Sequence, residues 1–456
     1  MSGNRAPGVA RGPSFDVLVV GGGSAGCVLG ARLSESGRRV CLVEAGPDYG
    51  PYAEGRWPED MLDARQLAFS HSWETEREDR SQLRARIVGG CSAHNACVVL
   101  EGAPADYDEW GHGWSYRAIE PYLRRAEREL RVRRMTHEEL SPWHRAFVAA
   151  AGDDAILHPV NAVGSVRWNA AFAYLDPARR RENLTILADT LVDRVLLVGE
   201  RAVGVATSAG ELRAQTIVLA AGAYGSPGIL LRSGIGPERG LPVGEDLCDH
   251  VGVGFGFEGT ERLQRETVEF ERSQPLFMAQ VTIAMASSAC AAGLRDLFFF
   301  PGVDPPGEHG YEASVAVFAM KPESRGSVRL TSRDPRAPLA IAHGFLSEPR
   351  DAEILAEGVE RLRRLTGSDP IYSYAGRETR PGRDVDAPAH VRATARGFFH
   401  PVATCAIGQV VDGGGRVYGL DRLYVADASI MPTIPRANTN LSALALAERL
   451  AESIAR

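Results

Sequence analysis

The chain has 456 residues, of which 44% are hydrophobic and 24% charged, so it is long enough for two or three domains with sizeable cores and is neither disordered nor fibrous. Its 51 Lys and Arg against 58 Asp and Glu leave a formal charge of −7, which excludes a dominant basic nucleic-acid surface. Seven cysteines without a C-x-x-C pair fit neither a disulfide scaffold nor a zinc site, and no run of about 18 apolar residues marks a membrane span.

Met1–Ser14 is rich in Gly, Pro and Arg and lacks the apolar stretch of a secretory signal, so a reducing, cytoplasmic setting is expected. Phe15–Val20 is a short, mostly apolar strand that runs into Gly21, Gly23 and Gly26 of a G-x-G-x-x-G turn. Ser24 and Ala25 open a stretch of small and apolar residues at helical spacing, and Arg39–Val43 is a second strand ending at Glu44 and Ala45. Strand, glycine turn, helix, strand and terminal acid form a dinucleotide-binding unit. Gly21 permits the tight turn, Gly23 lets backbone approach a pyrophosphate, Gly26 lets helix and strand pack closely, and Glu44 stands where a ribose-binding acid belongs. The motif itself does not separate FAD from NAD; its single copy at the N-terminal end of a long chain favours FAD.

Further along, Glu120–Glu127 opens a helix, and Ala313–Met320 and Gly326–Thr331 read as strands. Asp351–Leu365 has apolar residues at helical spacing with charges opposite, as a surface helix does. The arginine runs at 131–134 and 179–181 are expected to be solvated faces. Lys321 is the only lysine, and the use of arginine at the other 50 basic positions reads as composition bias.

Several blocks carry a more specific signal. They are Arg84–Asn95 (RARIVGGCSAHN), Ala103–Trp110, Gly222–Gly236 (GAYGSPGILLRSGIG), Phe399–Cys405 (FHPVATC), Leu423–Pro432 and Ala437–Asn440 (ANTN). In this order, they resemble the glucose–methanol–choline (GMC) family of flavin oxidoreductases, from Phe15 to Ile454. The resemblance implies an α/β fold: a Rossmann-like FAD-binding domain interleaved with an α+β substrate domain whose antiparallel sheet is covered by helices. The expected division is 15–127, 173–251 and 395–456 for FAD, and 128–172 and 252–394 for substrate. It further implies that Arg86, Gly89, Gly90, Cys91, Asn95, Ala96, Val192, Ala221, Asp427, Ala428 and Thr439 border the cofactor.

His94 stands where most of the family carries an aliphatic residue, and GGCSAHN resembles the choline-oxidase-like branch. There, the histidine is bonded to the flavin's 8-methyl carbon, so His94 is a candidate covalent FAD ligand; a hydrogen-bonding histidine beside a noncovalent flavin is the other reading. Composition picks none of the eleven histidines as a base. The resemblance assigns that role to His400, with Asn438 as the second catalytic position, able to hydrogen-bond the substrate oxygen. Asn438 also suits the N-cap of the helix that follows. Asp249 and His250 read as structural, and Cys91 and Cys405 as small packing residues.

The function implied is oxidation of an alcohol (an amino alcohol, a sugar, or an aryl or aliphatic alcohol) to the carbonyl by hydride transfer to flavin N5, with oxygen or another acceptor reoxidising the flavin. A hydroxynitrile-lyase-like enzyme with a structural flavin is the alternative. Ala96 departs from the serine that follows the His-Asn pair in the choline-oxidase-like branch, and no carboxylate or aromatic cage for a trimethylammonium group is identified. Glu308, His309 and Tyr311 are the pocket candidates. The oligomeric state is not legible.

Overall fold

The computed structural model describes residues 15–73, 82–307 and 310–456, so Met1–Ser14 and the pocket candidates Glu308 and His309 lie outside the described residues. Two sheets organise the rest. The first has a parallel core in the order Leu184–Leu187, Val40–Val43, Phe15–Val20, Gly210–Leu219, Leu423–Val425. Phe15–Val20 and Val40–Val43 are almost entirely buried, as expected of parallel strands covered on both faces. Gly210–Leu219 is long enough to serve twice. Its second half pairs with Phe15–Val20, and its first half forms an antiparallel meander with Arg201–Thr207 and Val192–Val198.

Helices join sequence-distant pieces around this sheet. The helix Ser24–Glu35 packs against Thr439–Ala455, and Arg32 reaches the fully buried Glu448 through two 2.9 Å hydrogen bonds. Tyr116–Glu129 packs on the same C-terminal helix. It starts at Tyr116, before the expected Glu120, because the Ser115 side chain caps it by accepting from the Ala118 N–H. The arginine run at 179–181 is not simply a solvated face. Arg179 holds Asp48 in a two-pronged contact at 2.7 Å, and Arg181 caps the end of Ser24–Glu35 through the Ala31 carbonyl and Ser34.

The second sheet is wholly antiparallel. Its order is Glu378–Arg380, Val251–Phe257, Gly310–Ala319, Leu297–Gly307, Val281–Met285, Ala155–Leu157, with Arg396–Gly397 also on Val251–Phe257. Pro349–Thr366 lays Ile354, Leu355, Val359 and Leu362 on this sheet, so the predicted surface helix is present. The predicted strand at Gly326–Thr331 forms, as Ser327–Leu330, but outside this sheet. It pairs only with Leu339–Ala342, and its Val328 packs with Tyr224 and Leu247. A period-two pattern fixes which face is apolar but not which sheet receives it.

A smaller apolar cluster on the antiparallel sheet includes Phe298, Phe318 and Met320 together with Val98, with Phe300 and Phe398 against it. All seven cysteines are free thiols. Among the described residues, no helix is long and apolar enough to cross a membrane.

Candidate active site

The nucleotide turn is built as its glycines require. Gly21 has φ +100°, and a Cβ there would lie 2.6 Å from the Ala220 carbonyl oxygen. A Cβ on Gly26 would lie 1.8 Å from the Gly21 carbonyl oxygen, so only glycine lets the helix close on the turn. The first helical turn carries no acidic side chain to occupy its N–H groups. Glu44 is held rigidly, accepting from the N–H of Gly22 at 2.7 Å and of Gly46 at 2.8 Å, and burial raises its pKa.

From this turn, a cavity of about 1270 Å³ runs between the two sheets. Its wall includes Gly21, Gly23, Ser24, Ala25, Glu44, Ala45, Gly90, Cys91, His94, Asn95, Ala96, Val192, Ala221, Asp427, Ala428, Asn438 and Thr439 at the nucleotide side, and His400 beyond them. Gly26, Arg86 and Gly89 lie behind the wall. Gly89 donates to the Gly22 carbonyl at 2.7 Å, and Arg86 donates to the Ala45 carbonyl at 3.0 Å, so both brace the turn. Asp427 draws together the ends of two elements, accepting from the Gly222 N–H, the Ser226 hydroxyl and the Ser429 N–H. Tyr311 is elsewhere, donating its hydroxyl to Glu271.

These observations fit FAD. A glycine turn, an uncharged helix N-terminus and a fixed acid stand at one end of an elongated cavity, and a histidine pair stands at the other. His94 adds a further feature. It is buried, its Nδ1 has no hydrogen-bond partner, and burial lowers its pKa to about 4, so the ring is neutral.

At the far end, His400 is fixed from three sides. Its backbone N–H donates to Asp249 Oδ1 at 2.9 Å, its Nδ1 lies 2.9 Å from His250 Nδ1, and its Nε2 lies 3.3 Å from Asn438 Nδ2. Burial lowers the His400 pKa to about 3 and that of His250 well below its ordinary value, so both rings are neutral. The proton positions then follow in order. His250 Nε2 is 3.0 Å from the Pro435 carbonyl, which can only accept, so His250 carries its proton there. Its Nδ1 must accept from His400 Nδ1–H. His400 Nε2 is left unprotonated and accepts from the Asn438 amide. Asn438 occupies the N-cap position of Thr439–Ala455, yet its side chain makes no cap; it is turned to His400, and its Oδ1 is buried without a partner.

The loop that carries Asn438 is tied down by the only lysine. Asp106, fully buried, bonds Lys321, the Arg436 backbone N–H and the Arg436 guanidinium, while Lys321 also reaches the Ile434 carbonyl at 2.9 Å. His250 and Asp249 are the residues that sequence reasoning undervalued. Their signal was their place at the mouth of Val251–Phe257, a strand that ladders with Arg396–Gly397 just before His400.

The GMC oxidoreductase family profile matches residues 15–252 and 322–447. The chain belongs to the GMC oxidoreductase family. This makes the protein an oxidoreductase of CH–OH donors, and the family supports FAD as its cofactor. This GMC oxidoreductase is 32% identical to the oxygen-dependent choline dehydrogenase of Pectobacterium atrosepticum, over 97% of this chain and 95% of that protein. It is 30% identical to the enzyme of the same name from Ectopseudomonas mendocina, over 96% and 94%. The first alignment runs over 534 positions, so the relative holds segments that this shorter chain omits. Among solved structures, pyridoxine 4-oxidase from "Mesorbium loti" superposes with a TM-score of 0.84 at 26% identity, covering 96% of this chain and 99% of that one. Formate oxidase from Aspergillus oryzae shares the fold, with a TM-score of 0.81 at 21% identity, covering 98% and 99%.

Proposed function

We propose that this GMC oxidoreductase oxidises an alcohol to the carbonyl with His400 as the base. The observation that carries the reading is the pairing of His400 with His250 through Nδ1 at 2.9 Å, which leaves Nε2, 3.3 Å from the Asn438 amide on the cavity wall, as the acceptor. Bound FAD supplies a hydride acceptor at N5. His400 Nε2 takes the hydroxyl proton, and His250 accepts the His400 Nδ1–H throughout, so the imidazolium forms without rotation of the ring. Asn438 holds the substrate oxygen beside Nε2 through its amide, a fixed dipole in a site walled by Phe300, Phe318 and Phe398. The first test is anaerobic addition of primary alcohols to the purified flavoprotein. The flavin is expected to bleach in the parent and to bleach at least about a thousandfold more slowly in His400→Ala, which retains FAD. Near-normal bleaching in that variant refutes the assignment, and admission of air then separates an oxidase from a dehydrogenase. A flavin that stays oxidised while hydroxynitriles are cleaved identifies a lyase.

The proposal extends to His94 as a covalent link to the flavin's 8-methyl carbon: the imidazole N–H and one methyl C–H would be lost as protons, and the two electrons would pass to the flavin and on to the oxygen or other acceptor that reoxidises it. The place of the neutral His94 ring on the wall of the cavity supports it. After acid precipitation, yellow colour should stay with the protein pellet, and colour wholly in the supernatant refutes the link. The unpaired thiols support a reducing, cytoplasmic location.

A further inference from the structure

The strand Val251–Phe257 has a pattern that flavin chemistry does not require. Val251, Val253, Phe255 and Phe257 are buried in the core of the antiparallel sheet, and Gly252, Gly254 and Gly256 alternate with them. Successive strand residues face opposite sides, so three positions in a row on the other face carry no side chain. Each vacancy is filled from elsewhere. A Cβ would lie 2.2 Å from the Phe318 ring at Gly252, 3.1 Å from Arg396 Nη2 at Gly254, and 3.4 Å from Arg380 Nη2 at Gly256. Phe318, Arg396 and Arg380 all line the cavity that contains His400.

The order is directional. Phe398 lies 4.6 Å from His400 and is stacked on Phe318 at 3.8 Å between ring centroids. Arg396 and then Arg380 follow outward at strand steps of about 7 Å. Among the described residues, neither guanidinium has an ion-pair or hydrogen-bond partner, whereas their neighbours Arg363 and Arg377 are paired with Glu378 and Glu258. Among the described residues, the carboxylates on the cavity wall are Glu44 and Asp427, which belong to the nucleotide end and are engaged by backbone N–H groups. Glu312 is exposed and lies off the wall, beyond Ser314.

We propose that the alcohol substrate carries an anionic group at its far end. Its carbinol sits at His400, its body lies along Phe318 and Phe398, and its carboxylate or phosphate is received by Arg396, or by Arg380 when the substrate is longer. Planar guanidinium forks suit both anions, and the same charges repel a quaternary ammonium. The inference rests on His400 marking the alcohol end of the cavity.

The test uses the flavin-loaded protein and ligands that cannot react, so it does not depend on turnover. 4-Methylbenzoate, its neutral twin 4-methylbenzamide and 4-methylphenyl phosphate are titrated while the flavin absorbance is followed. One anion should bind about tenfold more tightly than the amide, and the tighter of the two identifies the group. That ratio should fall towards one in Arg396→Ala. In Arg396→Glu, 4-methylbenzylammonium should bind more tightly than the benzoate. Equal binding of amide and both anions by the parent, or an undiminished ratio in the Arg380→Ala/Arg396→Ala double variant, overturns the proposal. Failure of every alcohol to bleach the flavin would instead refute the oxidation reading and leave this binding result standing.

Discussion

His250 sets the protonation of His400 without facing the substrate side of the ring. Its Nε2–H is committed to the Pro435 carbonyl, which obliges its Nδ1 to accept and leaves His400 Nε2 bare. Removing the acceptor frees His400 to carry its proton on either nitrogen. His250→Ala should therefore lower kcat by about 10- to 100-fold with little change in KM. His250→Asn, whose amide oxygen can accept from His400 Nδ1–H, should recover part of the loss, whereas equal losses in the two variants would reduce His250 to packing. At this scale, the residue types were legible and their partners were not. His400 stood out through its motif. The contacts that orient it come from Asp249, His250 and Asn438, up to 151 residues away in the chain.

At the scale of elements, the glycine-alternating strand Val251–Phe257 is where the fold makes room for the cavity. Its apolar face is fixed by period-two patterning, which the sequence displays openly. The purpose of the glycines becomes apparent only when the side chains of Phe318, Arg396 and Arg380 are seen lying over them. Gly252→Ala is expected to cost about 1–3 kcal/mol in urea denaturation, because the added methyl meets both the Phe318 ring and the Val317 carbonyl. It should also disturb the Phe398–Phe318 stack beside His400 and raise KM. Full stability in that variant would mean that the Phe318 ring moves aside freely. The helix boundary at Tyr116 and the ribbon Ser327–Leu330 teach a similar lesson. A cap or a pairing partner decides where an element ends and which sheet it joins, while patterning decides only that it forms.

Across the whole molecule, buried neutral histidines give the protein an acid limit. His144 and His158 are fully buried, and burial lowers their pKa values to about 3 and about 4 from an unfolded value of 6.5. The unfolded chain therefore binds more protons as pH falls below 6.5, and each histidine removes about 2 kcal/mol of stability between pH 7 and pH 5. Asp249 works in the opposite direction, since burial raises its carboxyl to about 7 and folding favours its proton. The His144 share is isolated by comparing urea midpoints at the two pH values. The loss on acidification should be about 2 kcal/mol smaller in His144→Gln than in the parent, and an equal loss would show that His144 is solvated. The sequence by itself determined the family and the nucleotide turn, and it singled out His400 and Asn438, which the structure brings to one end of the same cavity. Each rests on short local motifs whose residue types are dictated by backbone geometry or chemistry. Only the tertiary structure decided the proton order through His250, the anchoring of the Asn438 loop by Asp106 and Lys321, and the placing beyond Phe318 of two arginines that have no partner among the described residues. All of these depend on segments far apart in the chain that meet around one cavity, and no local pattern in the chain encodes such a meeting.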